Sequence, residues 1–225
     1  MKGFFVTGTD TGCGKTELSL ALIQALRQHG WWVQAMKPVA SGCEPGPQGP
    51  RNPDARRLLA HSSVVVPYEW VNPYAFIPPI APHIAAREAG VQIELALIQG
   101  HATALAARAD LLIVEGVGGW RVPLGPGLAA SDLPSALGLP VILVVGLRLG
   151  CLNHALLTAE SILASGVALA GWVANQADPR MERLEENIAT LGSLLPAPCL
   201  GRVPWLADPA PEAVAPHLAI EVLLA

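Results

Sequence analysis

Two kinds of apolar pattern alternate along the chain. Short unbroken blocks at Phe4-Phe5-Val6, Trp31 to Met36, Asp110 to Glu115, Pro140 to Val145 and Ala168 to Ala174 read as strands, and they end on glycine, lysine, glutamate or asparagine. Between them the apolar positions take on helical spacing. Leu18, Leu20, Ala21, Leu22, Ala25 and Leu26 predict a helix that begins near Glu17, with Gly30 where a C-terminal cap would stop it. Further helices are predicted at about 54 to 62, 84 to 88, 94 to 108, 154 to 165 and 180 to 192, then a short strand at 199 to 203 and a C-terminal helix. Four prolines hold 44 to 53 as a loop, and 63 to 82 stays rich in proline and aromatic residues. Strands alternating with helices predict an α/β fold: a doubly wound, mostly parallel sheet, helices on both faces, and a site at the carboxyl edge of the strands. No repeat or linker divides the chain, so residues 1–225 are expected to form a single domain.

Composition narrows the partners. Apolar residues make up 52% of the chain and charged residues 14%, so much of it is expected to be buried, with some apolar surface left for a partner subunit. The net charge is −4 and there is no basic cluster, which argues against nucleic acid or an anionic membrane as a partner. Val141 to Leu147 is the longest strongly apolar stretch, far short of a membrane span. Met1 to Phe5 runs straight into the first strand, so no signal peptide is expected. Cys13, Cys43, Cys151 and Cys199 form no C-x-x-C pair, which fits a reducing, cytoplasmic location better than a zinc site or disulfide framework.

The candidate chemistry begins at Gly8-Thr9-Asp10-Thr11-Gly12-Cys13-Gly14-Lys15-Thr16, between the first strand and the first helix. Glycines at 8, 12 and 14 let the backbone curl so that successive N–H groups face phosphate oxygens, and the helix start adds partial positive charge. Lys15 would reach the terminal phosphates and the Thr16 hydroxyl would sit on Mg²⁺. The fold is therefore expected to be P-loop NTPase-like, although five residues rather than four separate Gly8 from Gly14-Lys15-Thr16.

Other strand ends supply further candidates. Lys37 and Ser41, in Lys37-Pro38-Val39-Ala40-Ser41-Gly42, could face the crevice of Lys15, or Lys37 could be a solvated strand-end lysine. Asp54 could cap the helix it opens or bind magnesium. Glu115 closes a run of four apolar residues in the manner of a Walker B acid, and Gly116, Gly118 and Gly119 let the backbone pass close to a ligand. Gly150-Cys151-Leu152-Asn153 precedes a helix whose free N–H groups could hold a carboxylate, or it is an ordinary asparagine cap. Asn175 could meet the edge of adenine or sit in a turn.

Taken together these segments resemble the dethiobiotin synthetase family. The resemblance rests on Val6 to Thr11 with Gly14-Lys15-Thr16, on Lys37 to Gly42, and on Val114-Glu115-Gly116 with Gly118-Gly119-Trp120. Gly150-Cys151 with Asn153-His154, Gly171 to Asn175 and Pro204-Trp205-Leu206 complete it over nearly the whole length. The family's phosphate loop has the same five-residue spacing. Many members carry Glu where this chain has Gly12.

The resemblance implies an ATP- and Mg²⁺-dependent cyclo-ligase that joins 7,8-diaminopelargonate and CO₂ into dethiobiotin, through a carbamate and a carbamic-phosphoric anhydride, releasing ADP and phosphate. It makes Lys37 and Lys15 catalytic, and puts Thr16, Asp54 and Glu115 around the metal. It implies nucleotide contacts from Gly12, Cys13, Gly14, Lys15, Thr16 and Glu17, from Asp54, from Glu115, Gly116, Val117 and Gly118, and from Asn175, Gln176, Pro204, Trp205 and Leu206. Thr11, Lys37 and Ser41 correspond to substrate positions, and Asp208 and Glu212 are both candidates for a ribose contact. It further implies a homodimer, with the helix start of the partner, Gly150, Cys151, Leu152 and Asn153, holding the substrate carboxylate.

Two rivals share the loop. Nucleotide-switch ATPases of the partition and septum-positioning type place a lysine five residues before the loop lysine, where this chain has Asp10, and often use a basic surface or tail, whereas Ala213 to Ala225 has no lysine or arginine. Amide-forming ligases of the cobyrinate type append a glutamine-hydrolysing domain, for which 225 residues leave no space.

Overall fold

The computed structural model describes residues 1–224, and Ala225, the end of the expected domain, lies outside the described residues. In chain order, β1 (Gly3–Gly8) leads through the glycine loop into α1 (Lys15–Gln28), β2 (Val33–Met36) and β3 (Val39–Ser41). Next come α2 (Pro53–His61), α3 (Tyr68–Val71), β4 (Tyr74–Phe76), α4 (Pro82–Glu88), α5 (Leu95–Ala106) and β5 (Leu111–Glu115). Then follow β6 (Pro123–Gly125), β7 (Leu128–Ala129), α6 (Asp132–Leu137), β8 (Val141–Leu147), α7 (Cys151–Ala164) and β9 (Leu169–Gln176). The chain closes with α8 (Leu184–Leu194), β10 (Cys199–Val203), α9 (Pro211–Val214), a 3₁₀ turn (Ala215–His217) and α10 (Glu221–Leu224).

Six strands form one parallel sheet in the order β10-β9-β8-β1-β5-β2. The central strands β1, β5 and β8 are buried along their whole length, as the unbroken apolar runs require. Side chains alternate between the two faces. Phe4, Val6, Leu111 and Ile113 pack with Leu22, Ile23 and Leu26 of α1, while Phe5, Leu112 and Val114 pack with Ile98, Ala102 and Leu105 of α5. On the latter side Leu143, Val145 and Trp172 meet α7 and α8. Helices thus cover both faces, as the alternation predicts, and each fully buried leucine or isoleucine contributes about 1.5–3 kcal/mol.

The structure moves several boundaries. Strand β2 starts at Val33, because Trp32 N donates to the Asp110 carboxylate ahead of the ladder. Helix α7 starts at Cys151, so Cys151, Leu152 and Asn153 lie inside its first turn and Gly150, with φ 95°, is its left-handed cap; there is no asparagine cap. Helix α8 starts at Leu184, after Arg183 takes a left-handed φ of 56°. In place of one C-terminal helix, α9 runs directly into the 3₁₀ turn, and Leu218, with extended backbone, precedes α10. Two small sheets, parallel β3–β4 and antiparallel β6–β7, and the helices α3 and α6 are too short for periodicity to reveal.

Candidate active site

The glycine loop hangs over the carboxyl ends of β1 and β8. Thr9 N donates to Val144 O at 3.0 Å, and Cys13 is fully buried beneath the loop. Glycine is required on both sides of Cys13: a Cβ on Gly8 would overlap its sulfur, and one on Gly146 would stand 2.9 Å from its Cβ. The backbone turns left-handed at Gly12 and again at Gly14, where φ is 95°. Lys15 Nζ then donates to Asp10 O at 2.8 Å. The Asp10 carboxylate caps Thr11 N at 2.7 Å and pairs with Arg148 at 2.6 Å, so the position at which the switch ATPases carry their signature lysine is held here by an acid and its arginine.

Lys37 is clamped through its backbone. Its N–H donates to Val71 O at 2.8 Å, and its carbonyl accepts from Asn72 Nδ2 at 2.7 Å. Asn72 is itself buried and fixed by the Tyr68 hydroxyl at 2.8 Å. The Lys37 ammonium donates to Asp54 Oδ2 at 3.0 Å and to Glu115 Oε1, and Thr16 Oγ1 donates to the same Glu115 oxygen at 2.8 Å. Glu115 is wholly buried at the end of β5, and its Oε2 has no hydrogen-bond partner among the described residues. Burial alone would lower the Lys37 pKa, but Glu115 and then Asp54 outweigh it and hold the ammonium above its ordinary value. Asp54 does not cap α2: Asn52 Oδ1 accepts from Ala55 N at 3.1 Å, which frees the Asp54 carboxylate for Lys37.

These groups line one cavity of about 690 Å³. Thr11, Gly12, Gly14, Lys15, Thr16 and Glu17 form its loop wall; Lys37, Ser41 and Asp54 face them; and Glu115, Val117 and Gly118 close the base. A smaller cavity of about 180 Å³ shares Gly14 and Glu17 with it and is bounded by Asn175, Gln176 and Pro204 to Leu206. Asn175 Nδ2 donates to Cys13 O at 2.8 Å, and Trp205 N donates to Gln176 Oε1 at 3.2 Å, which ties the second cavity to the loop. Cys13 and Gly116 are buried and line neither cavity, and the exposed Asp208 and Glu212 line neither as well. Gly150, Cys151, Leu152 and Asn153 line neither cavity.

Sequence reasoning missed three groups: Asn72, Arg148 and Arg57. Arg57 reaches from α2 to Glu17 of α1 with two bonds of 2.6 Å. Each acts through a partner far away in sequence, so no local signal marks it. Among the described residues no three His, Cys, Asp or Glu side chains converge as a metal cluster, so the oxygen set is two carboxylates and a hydroxyl. No helix of the described residues is long and apolar enough to cross a membrane.

A glycine loop wrapping a lysine at the end of β1, with an acid at the end of the neighbouring β5, defines a P-loop nucleotide-dependent protein. A family model described as an AAA domain matches residues 2–213. The ATP-dependent dethiobiotin synthetase BioD of Pseudomonas paraeruginosa is 59% identical over 224 residues, 99% of this chain and 98% of that one. Its namesake from Xanthomonas oryzae pv. oryzae is 54% identical over 205 residues, 91% of this chain and 92% of that one. The chain belongs to the ATP-dependent dethiobiotin synthetase family and is an ATP-dependent ligase. In fold it is also similar to the septum site-determining protein MinD of Pyrococcus horikoshii complexed with Mg-ADP, with TM-score 0.57 and 16% identity over 99% of this chain and 89% of that one. The Aquifex aeolicus MinC:MinD complex gives 0.63 and 12% over 100% and 95%. At such identities the likeness is one of fold.

Proposed function

We propose that the chain converts 7,8-diaminopelargonate, CO₂ and ATP to dethiobiotin, ADP and phosphate. The observation that carries this reading is the convergence of two ammonium groups, Lys15 and Lys37, on one cavity that also bears Thr16, Asp54 and Glu115. Carbamate and triphosphate are both anions, and a reaction that joins them needs cations on each. One amine of the substrate adds to CO₂ and loses a proton to give the carbamate. A carbamate oxygen then attacks the γ-phosphorus, the bond to the β–γ bridging oxygen breaks, and ADP departs. The second amine attacks the carbamoyl carbon, loses a proton, and expels phosphate as the ureido ring closes.

In this account the loop N–H groups and Lys15 hold the phosphates, and Lys37 holds the carbamate and the charge that develops in transfer. Thr11 and Ser41 contact the substrate, and Asn175 with the Pro204 to Leu206 backbone holds adenine. Thr16, Asp54 and Glu115 fit Mg²⁺, since all are hard oxygen donors and the buried Glu115 Oε2 has no hydrogen-bond partner among the described residues. Mg²⁺ held there would neutralise charge on the β- and γ-phosphates. The active form is a cytoplasmic homodimer in which Gly150 to Asn153 of one subunit hold the substrate carboxylate of the other. Two facts support that sharing: this helix start does not line its own cavity, and the neighbouring Leu149 is 99% exposed. A fully active monomer in sedimentation would refute it.

The test of the chemistry uses CO₂ and bicarbonate labelled with ¹⁸O. Transfer through the anhydride carries one carbamate oxygen into the released phosphate. Labelled phosphate is expected, and phosphate without label would refute the mechanism.

A further inference from the structure

Of the three residues assigned above to Mg²⁺, Asp54 and Glu115 already hold a cation, and Thr16 is bonded to Glu115. The Lys37 ammonium lies between the two carboxylates and uses Glu115 Oε1, the same oxygen that receives the Thr16 hydroxyl. Lys37 is only 6% exposed and Glu115 is not exposed at all, so water offers little relief if the pair is broken. A divalent ion bound to these oxygens and an ammonium bonded to them exclude each other, by competition for lone pairs and by like charge. The Lys37 backbone is fastened to Val71 and Asn72, so what yields is its flexible four-carbon stem, and that stem borders the cavity that also holds Lys15.

We infer that Lys37 is the resident counter-ion of the metal site in the nucleotide-free protein, and that Mg²⁺ binding exchanges with it and releases the ammonium into the cavity. This rests on the assignment of the metal to Thr16, Asp54 and Glu115. Two carboxylates balance Mg²⁺ fully, so the released ammonium is left without an anion until a triphosphate or carbamate supplies one. Metal alone is therefore disfavoured, metal together with nucleotide is favoured, and the lysine is delivered to the reacting groups only when the metal is in place.

The test measures Mn²⁺ binding by loss of the free-ion paramagnetic resonance signal, in protein with no nucleotide. Lys37→Met leaves the two carboxylates uncompensated, so it should bind Mn²⁺ at least about tenfold more tightly than wild type. With ADP present the difference should shrink, because the phosphates give the wild-type ammonium a new partner. Equal or weaker binding by Lys37→Met would overturn the exchange. Glu115→Gln separates the two ideas: if it leaves Mn²⁺ affinity in the presence of ADP unchanged, the metal assignment itself fails, whereas weakened binding keeps that assignment and isolates the exchange. Should Lys37→Met fail to fold, wild-type protein answers the same question. Acetic anhydride labelling followed by mass spectrometry reads Lys37 directly, and saturating Mg²⁺ without nucleotide should raise its labelling rate. An unchanged rate would overturn the proposal.

Discussion

Gly14→Ala probes how the loop is joined to the second cavity. Gly14 has φ 95°, and an alanine forced into left-handed backbone costs about 1–2 kcal/mol. The new Cβ would also overlap Asn175 Nδ2, which is held at 2.8 Å by Cys13 O. The amide must swing away, and losing that bond costs about 1 kcal/mol, for a total of roughly 2–3 kcal/mol. Gly12→Ala is the internal control. It has φ 72° but nothing within 4 Å of its Cβ, so it carries the backbone strain alone. Urea unfolding should therefore place the Gly14→Ala midpoint about half a molar below that of Gly12→Ala. ADP binding should weaken more in Gly14→Ala than in Gly12→Ala, since both residues line the larger cavity but only Gly14 touches Asn175 and the smaller one. Adding Asn175→Ala to Gly14→Ala should cost less than the sum of the two single changes, by about 1 kcal/mol. Equal midpoints for the two alanine variants, or strict additivity with Asn175→Ala, would refute the reasoning.

Asn72→Ala removes the side-chain donor to the Lys37 and Tyr74 carbonyls from a buried position, so stability should fall by about 1–3 kcal/mol. Turnover should fall with little change in the KM for ATP, because Lys37 loses its position while the glycine loop is untouched; steady-state kinetics in which only the KM moves would contradict this. Glu17→Gln and Arg57→Gln break a two-pronged ion pair that is partly exposed, so a double-mutant cycle in urea should return a coupling of only about 0.5–1 kcal/mol. Zero coupling would show that the pair contributes nothing to joining α1 and α2.

The sheet was readable from the sequence because β1, β5 and β8 are buried on both faces and so appear as unbroken apolar runs. The residues at their carboxyl ends were readable for the same reason: polar groups stand out at the end of such a run, and a parallel sheet brings those ends together. That logic finds Lys37, just past β2, and Glu115, at the end of β5, and the glycine loop marks Lys15, but neither shows what holds them. Asn72 reaches Lys37 across 35 residues and Arg148 reaches Asp10 across 138, and neither pairing leaves a local pattern. Caps misled in two places. Asp54 opens α2 as a cap would, yet Asn52 does the capping, and Asn153 looks like a cap although α7 has already begun at Cys151 behind a left-handed Gly150. The small sheets β3–β4 and β6–β7 fell below the length at which alternation can be seen.

The most direct test of the proposed reaction is phosphate release from ATP with Mg²⁺ and bicarbonate, measured with and without 7,8-diaminopelargonate while dethiobiotin is followed by mass. The account predicts release that depends on the diamine and is matched one for one by dethiobiotin. ATP hydrolysis indifferent to the diamine, with no dethiobiotin formed, would contradict it.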